Sequence, residues 1–240
     1  MLSQTLPAIE SMLSAATPDE ASRRFFEIVA PLGATYLQTR LYRRPRAALT
    51  SKTHFAAGGV LARIAPADWP ESAAFNYVCF DVNPLLGAIR ESRTRYRFSD
   101  FAPFGDAAYG AYWDAMSEAG IAEALCATSY GPDRSIASLH LGFDRRTFSA
   151  DEARNIHMAG LLLTERLMEF AVPQEARPEL SVRERDCLTF VADGYTDAQV
   201  AMLLNISEST VRFHLSNARM KLGAVNRTQA VARLATSGML

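Results

Sequence analysis

The chain has 240 residues, 49% of them apolar, with 25 Lys and Arg against 26 Asp and Glu for a net charge of −1. That is enough chain for two separately cored domains and too apolar for a disordered one. No apolar run approaches the roughly 18 residues of a membrane span, and Met1 to Gln4 lack the basic start of a secretion signal, so a cytoplasmic protein with no membrane partner is expected. Cys79, Cys126 and Cys187 are odd in number and far apart, a pattern of buried free thiols rather than of a disulfide or a metal site.

The first 172 residues alternate helical and extended patterns. A helix containing Phe25 to Val29 should stop before Pro31, and Ala34 to Tyr42 and Gly59 to Ile64 read as strands. Helices are expected near Pro84 to Ser92 and Asp106 to Ala119. Leu125 to Tyr130 and Ile136 to Phe143 form a hairpin around residues 131–134. Ser149, with Glu152 three residues later, starts a helix whose stripe of Ile156, Ala159, Leu163, Leu167 and Phe170 packs on the sheet, with a shared role at a dimer interface. Leu161, Leu162 and Met168 widen that stripe. The whole makes an α/β sandwich, a central antiparallel sheet flanked by helices, of a kind that encloses small molecules. Aromatic residues such as Trp69, Phe75, Phe98 and Trp113 also serve simply to fill such a core.

Pro173 and Pro178 bracket a charged linker, 173–179, which separates the 1–172 domain from a 180–240 domain. Ser181 with Glu184 has capping-box spacing, Gly194 suits a helix stop, and Thr196 with Gln199 opens the next helix, whose Val200, Ala201, Leu203 and Leu204 should face inward. Asn205 and Ile206 supply a tight turn, Ser207 caps a further helix, and Asn226 with Gln229 repeats the capping pattern. In the helix after Ser207, Val211, Leu215, Ala218 and Leu222 form one apolar stripe. At about 100° per residue, Arg212, Ser216 and Arg219 lie roughly 80° to 140° from it, with Ser209 and Phe213 completing the outer face. Such a face carries major-groove chemistry: Arg for guanine edges or phosphates, Ser for base edges, Phe for thymine methyls. His214 falls toward the buried side and reads as a packing residue. From Asn205 onward five basic residues stand against Glu208 alone, the local excess that phosphate binding needs.

Leu180 to Leu188, Gly194, the helix pair from Thr196 to Leu222, and Lys221 to Ala232 together resemble the LuxR-type (GerE-like) helix-turn-helix domain. The resemblance implies an all-α four-helix unit that binds double-stranded DNA as a homodimer on an inverted-repeat operator. By motif position, Arg212, Phe213 and Ser216 match base-facing sites, and Arg219 and Lys221 match phosphate contacts. A domain of this kind behind an α/β sandwich is similar to quorum-sensing regulators, which implies an autoinducer-binding-like domain in front. Trp69 then matches a pocket Trp whose indole N–H bonds a carbonyl. Ala65 stands where the family often has Tyr, Asn83 where it has an amide-accepting Asp, Phe98 where Trp is usual, Ala124 where Gly is common, and His140 where a small polar residue faces the ligand.

These departures leave the signal open between an acyl-homoserine lactone and another small amphipathic molecule. An alternative is a ligand-independent regulator of this type whose first domain serves dimerisation only. The sequence holds no Gly-x-Ser-x-Gly elbow, His-Glu-x-x-His pair or phosphate-cradling Gly-rich loop, so no catalytic residue, cofactor or metal is expected. The helical, acid-poor start also argues against a phospho-receiver.

Overall fold

The computed structural model describes residues 2–171 and 179–236. The chain forms two compact units, Met1–Ala171 and Val172–Leu240. The expected linker at 173–179 lies, except for Glu179, outside the described residues.

In the first unit, β1 (Ala34–Arg43), β2 (Val60–Ile64), β3 (Arg95–Arg97), β4 (Glu123–Tyr130) and β5 (Ser135–Phe143) form one antiparallel sheet in the order β2-β1-β5-β4-β3. The β4–β5 hairpin closes through a tight turn at Pro132–Arg134, in which Asp133 and Arg134 take positive φ. Side chains alternate across the sheet. Leu37, Leu125, Ala127, Leu139 and Leu141 pack on the face covered by α1 (Leu2–Leu13), α2 (Pro18–Val29) and α7 (Ala150–Glu169), together with Met12, Phe25, Leu163 and Leu167. Tyr36, Tyr96 and Cys126 point the other way, into a second core with Trp69, Phe75, Phe98, Tyr112 and Trp113. A sheet apolar on both faces needs cover on both, and the result is an α/β sandwich.

The second layer is made of short pieces, and here the structure departs from the expected elements. The helix foreseen at Pro84 to Ser92 shrinks to α5 (Leu86–Arg90), because the chain after Pro84 first makes a tight turn in which Gly87 N–H donates to the Pro84 carbonyl. The stretch Asp106 to Ala119 splits into a 3₁₀ turn at Ala107–Tyr109 and α6 (Gly110–Glu118). Not anticipated were α3 (Ser51–Ala56), β3, and the run from Trp69 through α4 (Ala73–Asn76) to a π turn at Tyr77–Asp81. These segments are too short for a 3.6-residue period to emerge. On α7, Ser149 caps the Glu152 amide at 3.2 Å, but the Glu152 carboxylate pairs with Arg145 instead of reaching back to Ser149. The α7 residues Ile156, Leu163 and Leu167 are buried in the core, while Met158 and Leu162 are exposed.

The described residues of the second unit carry helices alone: α8 (Val182–Ala192), α9 (Asp197–Leu204), α10 (Glu208–Lys221) and α11 (Arg227–Thr236). Ser181 with Glu184 and Thr196 with Gln199 form complete capping boxes, and Ser207 accepts from the Thr210 amide at 3.1 Å. Gln229 donates its backbone N–H to Asn226 Oδ1 but returns its own side chain to the Val225 amide rather than to Asn226. Asn205 ends α9 at φ +54°, one of the few side chains that tolerate that conformation. The stripe of Val211, Leu215, Ala218 and Leu222 is buried against Cys187, Leu188, Val200, Ala230 and Leu234. Leu203 does not join the inward face: it is 54% exposed, because at about 100° per residue it falls outside the arc shared by Val200, Ala201 and Leu204.

Candidate functional site

A cavity of about 220 Å³ lies between the second face of the sheet and the short helices. One water needs only ~10–15 Å³ on this measure, so the space far exceeds a packing defect. Its sheet wall follows from strand periodicity: Tyr36, Gln38, Arg40 and Tyr42 alternate along β1, with Ser138 and His140 on β5, Thr128 on β4 and Tyr96 on β3. Register sets Gln38 opposite His140 and Arg40 opposite Ser138. Trp69, Phe75, Phe98, Tyr112 and Met116 supply apolar lining from the other side.

Four of the five expected ligand residues meet here. Trp69, Asn83, Phe98 and His140 all line the cavity, whereas Ala65 packs into the apolar core beside it and is not part of the lining. Asn83 donates Nδ2–H to the Cys79 carbonyl at 3.2 Å, which leaves its Oδ1 as an acceptor. His140 Nε2 lies 3.1 Å from the Tyr96 hydroxyl, and the ring meets Phe98 edge-on at 5.4 Å. Burial, reinforced by the Arg40 charge, pushes the His140 pKa down to about 4, so the ring is neutral at pH 7.

The most polar part of the wall was not foreseen from the sequence. Arg40 is 7% exposed and donates from Nε and Nη2 to the Gly58 carbonyl, from Nη2 to the His54 carbonyl, and from Nη1 to His54 Nε2 at 2.6 Å. Its guanidinium carbon sits 4.4 Å from the Tyr42 ring centroid. Burial first, then the charge of Arg40 and the His140 ring, lowers the His54 pKa to about 3. Arg63 also lines the cavity and donates from Nε to Gln38 Oε1 at 2.9 Å. The signal was present in the strand itself: Gln38 and Arg40 alternate with the buried Leu37 and Thr39 and the half-buried Leu41, and polar residues at alternate positions of a strand flanked on both sides mark a polar-lined space.

In the second unit, Ser209, Arg212, Phe213 and Ser216 are exposed on one side of α10, with Phe213 61% exposed. Among the described residues, Arg212 has only an exposed, 3.6 Å contact to Glu208. Arg219 is half-buried and donates to the Ala224 and Val225 carbonyls at 3.3 Å, bracing the turn after α10. Lys221 is held by Glu184, and Arg227 by Asp197 at 2.7 Å. The cationic excess is therefore smaller in space than along the chain, and Arg212 is its most available member. His214 is half-buried beside Phe213.

Residues 178–234 match the family described as GerE, bacterial regulatory proteins, luxR family. Over 134 residues the chain is 31% identical to the HTH-type quorum-sensing regulator RhlR of Pseudomonas aeruginosa, covering 53% of this chain and 56% of RhlR. It is 29% identical over 177 residues to the quorum sensing-dependent transcriptional regulator RpaR of Rhodopseudomonas palustris, covering 73% of this chain and 72% of RpaR. The chain spans about half the length of the first curated relatives it matches. These relatives are transcriptional regulators, not enzymes. In fold, the chain is similar to SdiA in complex with octanoyl-rac-glycerol, with a TM-score of 0.62 at 21% identity over 99% of this chain and 96% of SdiA. It is also similar to the N-acylhomoserine lactone dependent factor CepR2 of Burkholderia cenocepacia, with a TM-score of 0.50 at 18% identity over 72% of this chain and 95% of CepR2.

Proposed function

We propose that the chain, whose residues 178–234 match the luxR-family model, is a dimeric transcriptional regulator whose grip on DNA is set by a small amphipathic signal in the first unit. The observation that carries this reading is the cavity of about 220 Å³, walled by polar sheet residues on one side and aromatic residues on the other. A ligand there would complete the second core of the sandwich and stabilise the folded first unit by mass action. Stabilisation becomes regulation when the ordered unit favours the dimer that places two copies of α10 in successive major grooves of an inverted repeat. Arg212, Phe213 and Ser216 are assigned to base edges, with Ser209 beside them at the start of the helix. The site of action is the cytoplasm, and no helix among the described residues is long and apolar enough to cross a membrane.

Native mass spectrometry of freshly purified full-length protein, with operator binding measured on the same sample, tests the reading. The expected result is a dimer carrying a small molecule, with DNA affinity falling when that molecule is removed. A ligand-empty dimer that binds DNA as tightly as the loaded one overturns signal control and leaves a first unit used for dimerisation only.

A further inference from the structure

Among the described residues, two guanidinium groups line the cavity and no carboxylate does. Arg40 spends its hydrogen bonds on neutral acceptors, and neither Arg40 nor Arg63 joins an ion pair among the described residues. A buried cation without a counter-charge is costly, and a second cation on the same wall raises the cost. The Arg40 pKa is lowered by burial, with the Arg63 charge acting in the same direction; the groups that oppose the shift are Tyr42 and Cys79, not a carboxylate.

The geometry of the donors points the same way. Arg63 uses Nε on Gln38, its guanidinium carbon lies 5.3 Å from the Phe75 ring centroid, and its Nη1 and Nη2 make no hydrogen bond among the described residues. That leaves the end of the guanidinium that grips a carboxylate through two parallel bonds. A third donor lies on His54. Because Arg40 only donates, His54 Nε2 accepts from it, so the neutral ring carries its proton on Nδ1, which is buried with no hydrogen-bond partner in the described structure.

Resting on the reading that this cavity holds the regulator's signal, we infer that the signal is an amphipathic carboxylate. Its negative head meets Arg63 and Arg40, and its apolar or aromatic body lies among Trp69, Phe75 and Phe98. A neutral acyl lactone would leave both cations without a counter-charge.

The test measures binding of decanoate, methyl decanoate, cinnamate, methyl cinnamate and N-decanoyl homoserine lactone to the full chain by calorimetry, with operator affinity read in parallel. At least one acid should bind about tenfold or more tighter than its methyl ester, the value of one charge-assisted hydrogen bond over a neutral one. Arg63→Gln should erase that preference and Arg63→Lys should keep part of it. Arg40 is left unchanged because it also braces the Gly58 loop. Esters that match their acids, a preference that survives Arg63→Gln, or no binding by any acid overturns the assignment. Lactone binding with an operator response, and none by the acids, would overturn the carboxylate while sparing the regulator reading. Acid binding without any operator response would do the reverse.

Discussion

The Lys221 ammonium donates to Glu184 Oε2 at 2.7 Å and to the Glu179 carbonyl at 3.2 Å, tying the last turn of α10 to the start of α8. Glu184 is 4% exposed and also accepts from the Ser181 amide, so one carboxylate both closes a capping box and anchors the neighbouring helix. Burial alone would raise its pKa; the Lys221 ammonium and the Ser181 amide outweigh burial and hold it below the usual carboxylate range.

Lys221→Ala should therefore act on the fold before it acts on DNA. The loss leaves a buried carboxylate short of a partner, at a cost of about 1–3 kcal/mol to the second unit. Thermal unfolding should show the drop, and a Glu184→Gln, Lys221→Met pair should recover most of it. The depressed pKa adds a direction: this contribution is present above the unfolded carboxylate pKa and is lost as pH falls through the folded one. An unchanged melting temperature in Lys221→Ala, with DNA affinity weakened alike on all sequences, would return Lys221 to the phosphate role implied by its motif position.

Arg212→Ala should leave stability nearly untouched, because its contact to Glu208 is long and exposed. Operator affinity should fall by about 1–3 kcal/mol if the side chain reads a base. The discriminating measurement is a random duplex of equal length. An equal loss on both sequences makes Arg212 a phosphate contact.

His140 makes the first unit sensitive to acid. The unfolded ring takes up a proton near pH 6.5, while the folded one resists until about 4. Stability is thus complete above pH 6.5 and drains away as pH falls toward 4, at up to about 1.4 kcal/mol per pH unit for this one group. Melting curves of wild type and His140→Gln across that window should diverge, with the variant losing less. Parallel curves would mean that the folded ring takes up its proton over the same pH range as the unfolded one.

Gly58 and Gly59 separate two kinds of backbone constraint at adjacent positions. Both take positive φ, at +64° and +77°, so an Ala side chain is strained at either. A Cβ on Gly58 meets open space, whereas one on Gly59 would lie 2.1 Å from the Leu41 carbonyl oxygen. Gly58→Ala should cost about 1–2 kcal/mol. Gly59→Ala should cost clearly more and loosen the strand pairing that holds the Gly58 carbonyl on Arg40. Denaturant unfolding of the two variants measures the order, and a reversed order would contradict the close approach of β1.

The long strands and the helix caps were legible because each rests on local periodicity or on a side chain three residues from its partner, as at Thr196 and Gln199. The face of α10 was legible for the same reason. Trp69, Asn83, Phe98 and His140 were reached through family resemblance, not through pattern. Arg40, His54 and Arg63 escaped because their meaning depends on pairings 14 to 25 residues apart, and on which carboxylates do not come near. The pairing of Lys221 with Glu184 escaped for a similar reason: the two stand 37 residues apart.

Along β1, Leu37 and Leu41 answer to the helical layer, while Tyr36, Gln38, Arg40 and Tyr42 answer to the cavity. The chemistry of the cavity wall and the integrity of the scaffold are thereby written on interleaved letters of one strand. Substitutions at Gln38, Ser138 or His140 would reshape the cavity wall and leave the contacts of the helical layer in place, so the chemistry of the enclosed space can change without a change of architecture.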